Sequence, residues 1–166
     1  MAANMYLKCE EPEIKGESTD ADHKDQIQVL SWSHSSNQPT SSTRSSAGGG
    51  TVESANHSDF TITKYTDAST PHLLKRCWGG KMIKTCTFTS YRSDGDNKRV
   101  KYLEIIMNNV IISNISFGGG TGDLPTETVA LNYGVIEFKY IQQKKEDGSA
   151  GDPIPVKHDL IKDTVE

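Results

Sequence analysis

The sequence predicts a mainly β protein: a β-barrel of two packed antiparallel sheets with one short flanking α-helix over about residues 70–78. Three observations carry this. β-Branched and aromatic residues alternate with polar ones in roughly six to eight separate runs, the period-two signature of half-buried strands. Only one stretch, Asp59 to Gly80, switches to helical spacing. The runs between are rich in Ser, Thr and Gly, with turn signals such as Asp94-Gly95. Many short strands with so little helix close into a barrel or pack as two sheets. A chain of 166 residues suits one domain with one core. Residues 1–166 are therefore read as a single unit, with a long Ser/Thr/Gly-rich loop at about 36–51 and a polar C-terminal tail from about 143.

Composition excludes several function classes. Lys and Arg number 18 against 22 Asp and Glu, a net charge of −4. With no basic run, nucleic-acid binding through phosphate neutralisation is not expected. The three cysteines, Cys9, Cys77 and Cys86, show no metal-ligand spacing and read as buried thiols of a reducing compartment. Residues 1–9 lack the basic-then-apolar pattern of a signal peptide, and the apolar run around Val110–Ile112 is too short to span a bilayer. The expectation is a cytoplasmic protein that inserts in no membrane by itself. If it leaves the cell, it does so without a cleaved signal peptide.

The strands follow in order. Met5, Leu7 and Cys9 alternate with Tyr6 and Lys8. Residues 26–37 form a second strand, with Leu30 and Trp32 as core candidates and Ile27, Val29, Ser31, Ser33 and Ser35 on the opposite face. The next strand carries Phe60, Ile62 and Lys64 on one face and Thr61, Thr63 and Tyr65 on the other. Asp67, Ser69 and Thr70 are cap-type residues, and Pro71 suits the first helical turn. Leu73, Leu74, Cys77 and Trp78 recur at helical spacing until Gly79-Gly80 stops the helix. Phe60, Leu73, Leu74 and Trp78 thus join the expected core. Residues 81–91 form a strand with Met82, Cys86 and Phe88 on one face. Residues 99–117 form a long strand whose pattern blurs at Asn108-Asn109, where a bulge is expected. In the last long strand, 126–141, the apolar phase shifts after Gly134.

No catalytic constellation emerges. Asp22-His23 invites a metal or acid–base reading but lacks a third ligand at useful spacing, so a solvated loop pair is expected. His57 and Asp59 would need a nucleophile, and no Gly-x-Ser-x-Gly turn appears, so a polar surface pair is expected. The glycine cluster Gly48–Gly50 is followed by neither Lys-Ser/Thr nor a helix, which excludes a phosphate cradle. No cofactor and no enzymatic activity are expected.

Several stretches together resemble the Hcp (haemolysin-coregulated protein) family, the tube subunit of the bacterial type VI secretion system. They are Met5 and Lys8; Lys15-Gly16-Glu17-Ser18; Ile27 to Ser33 with Trp32; the block Phe60, Thr61, Lys64, Tyr65, Asp67, Ser69, Thr70, Pro71, Leu73; and Glu127, Val129, Leu131, Asn132 and Tyr133 leading to Tyr140. The resemblance implies a β-barrel subunit assembling as a homohexamer, with rings stacking into a hollow tube that a contractile sheath propels. It implies a spike protein at the tip and small effector proteins in the lumen. It makes Ser31 and Ser33 candidate lumen residues, and Gln38, Thr43, Arg44, Gly48, Gly49 and Gly50 a candidate ring-stacking loop. A small β-sandwich binding module, for instance for carbohydrate, and the tail-tube protein of a contractile phage are the competing readings.

Overall fold

The computed structural model describes residues 4–40, 54–93 and 98–166. The stacking-loop residues Thr43, Arg44, Gly48, Gly49 and Gly50, and the Asp94-Gly95 turn, lie outside them. In chain order the elements are β1 (Met5–Glu10), β2 (Ile27–Gln28), β3 (Ser31–Ser33), β4 (Ser36–Asn37), β5 (Asn56–His57), β6 (Phe60–Tyr65), α1 (Thr70–Gly79), β7 (Ile83–Ser93), β8 (Arg99–Gly118), β9 (Thr126–Asn132), β10 (Val135–Gln143), β11 (Ala150–Asp159) and β12 (Thr164–Val165).

Two antiparallel sheets share one strand. The first runs β12-β11-β10-β8-β7-β1-β2; the second continues from β8 through β9 and β6 to β3. β8 reaches both because it bends. Its first half pairs with β7 and β10, and from Ile111 onward it pairs with β9. At the bend Asn109 adopts φ 55°, a left-handed conformation that Asn tolerates better than most residues. The expected bulge is displaced: β8 keeps its register with β7 and β10 through Asn108, and its shift against β9 falls between Ile112 and Asn114. The phase shift after Gly134 falls where β9 gives way to β10. Gly134 donates its N–H to Asn108 O at 3.0 Å. A Cβ at Gly134 would meet the exposed Ile161 side chain, with Cδ1 at 2.8 Å, so a larger residue here would push Ile161 aside.

Between the sheets lies a core of Leu7, Cys9, Ile27, Phe60, Ile62, Phe88, Ile105 and Met107, with Trp32 packed against it. The Trp32 indole stacks on Phe60 with ring centroids 5.7 Å apart. Full burial of an aliphatic or aromatic side chain contributes about 1.5–3 kcal/mol, so this aromatic and aliphatic layer is the main stabilising term.

Four expectations change. Residues 26–37 are three short strands, and Leu30 is 42 % exposed. Val29 donates its N–H to Met5 O on β1, whereas Leu30 donates to Thr63 O on β6. The chain steps from one sheet to the other between them, and the alternation resets. Ile27 and Val29 therefore point inward before the step, and Trp32 points inward after it. Second, Trp78 is 79 % exposed and Leu74 only half-buried. The helix seats Thr70, Leu73 and, in part, Cys77, a narrow stripe at i, i+3 and i+7; Trp78 lies about 140° around the axis from Leu73. Third, Met82 is exposed and Ile83 is buried. Fourth, the polar tail, expected as an extended tail or a short edge strand, contains a ten-residue strand, β11, paired along β10 and followed by β12. Its prolines hid it. Lys157 donates its N–H outward to Glu166 O, and Pro153 and Pro155 share its parity, so neither breaks the ladder to β10.

Candidate functional site

The most regular surface is the outward face of the β3-β6-β9-β8 sheet. Residues paired across an antiparallel ladder point to the same side. One row across the sheet is Ser31, Thr63, Thr128 and Ser116; the next is Ser33, Thr61, Ala130 and Asn114. Alternation produces it. Phe60, Ile62 and Lys64 turn inward along β6, leaving Thr61 and Thr63 outside; Glu127, Val129 and Leu131 do the same for Thr128 on β9, whereas Ala130, in the same phase, is covered by its neighbours. The rows carry only hydroxyl, amide and methyl groups. At one end Asp59 accepts from Ser113 Oγ at 2.5 Å and from Asn132 Nδ2 at 3.0 Å, tying the β6 entrance to β8 and β9.

The ionised groups lie behind this face. Lys64 and Glu127 are fully buried, and Lys64 Nζ stands 2.5 Å from Glu127 Oε1 and 3.0 Å from Asp67 Oδ1. It also donates to Tyr65 O at 2.9 Å. The Thr70 hydroxyl donates to the Glu127 carboxylate at 2.9 Å, and Asp67 accepts from the Ser69 backbone N–H at 2.9 Å. Asp67, one turn outside the helix, ties the Ser69 start to Lys64 on β6, and the Thr70 hydroxyl ties it to Glu127 on β9. Ser69 makes no side-chain cap of its own. Gly80, with φ 60°, closes the other end: Gly80 and Lys81 donate their N–H groups to Cys77 O and Arg76 O.

The predicted site residues fall as follows. Ser31 and Ser33 are exposed on β3, joined by hydroxyls of three other strands that the sequence reading did not gather. Gln38 is exposed just past β4 and donates to Pro39 O at 3.5 Å. His57 and Asp59 are not a surface pair. His57 is half-buried and faces Tyr133 and His158. Asp22-His23 is not a solvated pair either. His23 is buried, stacked on Tyr6 at 4.3 Å and hydrogen-bonded to Gln26 and Tyr91. The neighbouring Asp20 is held down to a pKa of about 2, chiefly by its hydrogen bond with the Arg99 guanidinium.

Fold and face together define a mainly β protein with two cross-sheet rows of hydroxyl, amide and methyl groups on one sheet. The sequence model of the family described as "Type VI secretion system effector, Hcp" matches residues 6–140. The chain belongs to the Hcp family of type VI secretion proteins. It is 37 % identical over 155 residues to Protein hcp1 of Pseudomonas aeruginosa, covering 93 % of both chains. Among solved structures it resembles one described as a type six secretion system protein, with TM-score 0.87, 26 % identity and 99 % and 100 % of the two chains covered. Hcp1 from Salmonella typhimurium follows at TM-score 0.79 and 26 % identity over the whole of both chains.

Proposed function

We propose that the chain is a structural subunit of the type VI secretion inner tube. Six copies close into a ring, rings stack into a hollow conduit, and the hydroxylated face of β3, β6, β9 and β8 lines its lumen. The tube is propelled by a contractile sheath behind a spike protein, carries small effector proteins and is itself secreted, having been made in the cytoplasm. The subunit performs no catalysis.

One observation carries this reading: two consecutive cross-sheet rows of Ser, Thr, Asn and Ala on one outward face. A wall for varied cargo must wet well and hold nothing tightly, and short hydroxylated side chains without fixed charge do both. A ring needs two different complementary surfaces on each subunit, because its interface is heterologous. The sheet supplies two different ends, β2 and β12. Stacking falls to Gln38 and the loop residues Thr43, Arg44 and Gly48–Gly50 in this reading. The exposure of Trp78 is the feature most favourable to a carbohydrate-binding module, but among the described residues no other ring pairs with it, and such modules present several aromatics together.

Ser33→Arg tests the lumen assignment. The variant should keep the particle mass of the parent while effector co-purification falls several-fold. Unchanged effector retention, or failure of the variant to assemble, would place Ser33 elsewhere than on the lumen wall.

A further inference from the structure

Three histidines and a tyrosine from four separate parts of the chain converge under the β4–β5 hairpin. His34 Nε2 lies 2.5 Å from the Tyr133 hydroxyl oxygen, and His57 Nδ1 lies 2.8 Å from that same oxygen. The other nitrogen of His57, Nε2, lies 2.8 Å from His158 Nδ1. The rings of His34, His57 and His158 share a cavity with Ile136, Phe138 and Val156. β4 and β5 pair only with each other, as a two-stranded sheet separate from the main one. His34 precedes β4 and His57 lies on β5, whereas Tyr133 follows β9 and His158 lies on β11. The cluster therefore fastens a separate hairpin to the body of the protein.

We propose that this cluster is a pH-sensitive latch: with the rings neutral it holds the β4–β5 hairpin against Tyr133 and β11, and protonation releases it. The proton count makes the argument. A phenol has one hydrogen to donate and a neutral imidazole has one donor and one acceptor nitrogen. Two arrangements satisfy all three contacts with every ring neutral. Either the Tyr133 hydroxyl donates to His34, His57 Nδ1–H donates to the Tyr133 oxygen and His158 Nδ1–H donates to His57; or each proton runs the opposite way. One added proton is accommodated on His158, whose Nε2 is buried without a hydrogen-bond partner and faces Asp163 Oδ1 at 3.7 Å. A second has no such place. On His57 it would set two N–H groups head to head with His158, and two positive rings with centroids 4.9 Å apart. On His34 it would leave the Tyr133 hydroxyl hydrogen without an acceptor nitrogen.

The surrounding charges do not offset this. Asp163 pairs with His158 and accepts from the Ser54 hydroxyl at 3.0 Å. Asp59, on the Tyr133 side, is engaged by Ser113 and Asn132. Burial first, and the Asp59 charge second, push the Tyr133 phenol far above its ordinary pKa, so it stays protonated. Burial lowers His34 below the ordinary histidine value; burial, then the charges of His158 and His34, lower His57. Groups whose folded pKa is depressed stabilise the latched state fully above the free-histidine value of about 6.5; that contribution declines below it and is lost as pH falls through the lowered folded values.

Hydrogen exchange of the intact protein at pH about 7.5 and about 5.5, corrected for intrinsic rates, tests the latch. Peptides covering His34–Asn37 and Asn56–Ser58 should lose protection by up to about tenfold for each depressed histidine, the bound set by one pH unit below the free value, while β7 and β8 keep theirs. In His57→Gln, whose amide offers a donor and an acceptor but takes up no proton in this range, the step should shrink to the share that His34 carries, no more than about tenfold and below that of the parent. Equal hairpin protection at both pH values would overturn the latch. So would a loss spread equally over β7 and β8, which is global destabilisation, or a full step surviving in His57→Gln. If His57→Gln does not fold, the comparison of the parent at the two pH values decides.

Discussion

Glu127→Ala destabilises the protein by about 3–5 kcal/mol, the range for removing one partner of a buried ion pair. Lys64 keeps the Tyr65 carbonyl and Asp67 at 2.9 and 3.0 Å, but its closest counter-charge is gone and its ammonium remains sealed from water. The Thr70 hydroxyl loses its acceptor in the same step, so the start of α1 loosens with it. Urea unfolding followed by circular dichroism measures the loss as a fall in midpoint. The paired replacement Lys64→Met with Glu127→Leu should recover only part of it: the buried pair is gone, but the Asp67 carboxylate loses its cation and the Thr70 hydroxyl its acceptor. A single-variant cost below about 1 kcal/mol would mean that the pair is solvated.

Leu73→Asp leaves little or no soluble folded protein. Emptying a buried leucine site costs about 2–5 kcal/mol, and an unpaired carboxylate adds its desolvation. The sum rivals the 5–15 kcal/mol that holds an ordinary domain together. Trp78→Asp, five residues on and exposed, should shift stability by no more than about 0.5 kcal/mol in either direction. Leu74→Asp falls between, since Leu74 is half-buried. Soluble yield and thermal midpoints of the three variants, measured in parallel, check the order. Leu73→Asp melting like the parent would show that the helix does not dock through Leu73.

The pair of results illustrates what the sequence made legible. Phe60 to Tyr65 and the Asp67-to-Pro71 helix start could be read directly, because period two and cap chemistry are local signals. The turn of β8 at Asn109 and the phase shift at Gly134 were legible for the same reason, but the bulge itself lies further along, between Ile112 and Asn114. Trp78 misled because helical spacing identifies a helix, not the width of the stripe a sheet will cover. Leu30 misled because a change of hydrogen-bonding partner between adjacent residues, from β1 to β6, leaves no mark in alternation. The length of β11 was hidden by composition: a short edge strand could be read there, but prolines and polar residues on its outer side masked a ten-residue strand paired along β10.

The candidate face was half legible. Ser31 and Ser33 could be picked from their own strand, but their neighbours across the rows come from residues 61–63, 114–116 and 128–130. Register alone brings them together. The Lys64–Glu127 pair had a signal that went unused. Each residue occupies a core-facing phase, Lys64 with Phe60 and Ile62, and Glu127 with Val129 and Leu131. A base and an acid both on inward phases call for one another. The histidine cluster had none, since His34, His57 and His158 are spread over more than a hundred residues.

The mass of the purified protein in solution, by light scattering or native mass spectrometry at micromolar concentration, tests the tube reading most directly. The predicted result is a particle near six times the 18.2 kDa chain, with larger multiples where rings stack. A constant mass of one chain across that concentration range would contradict it.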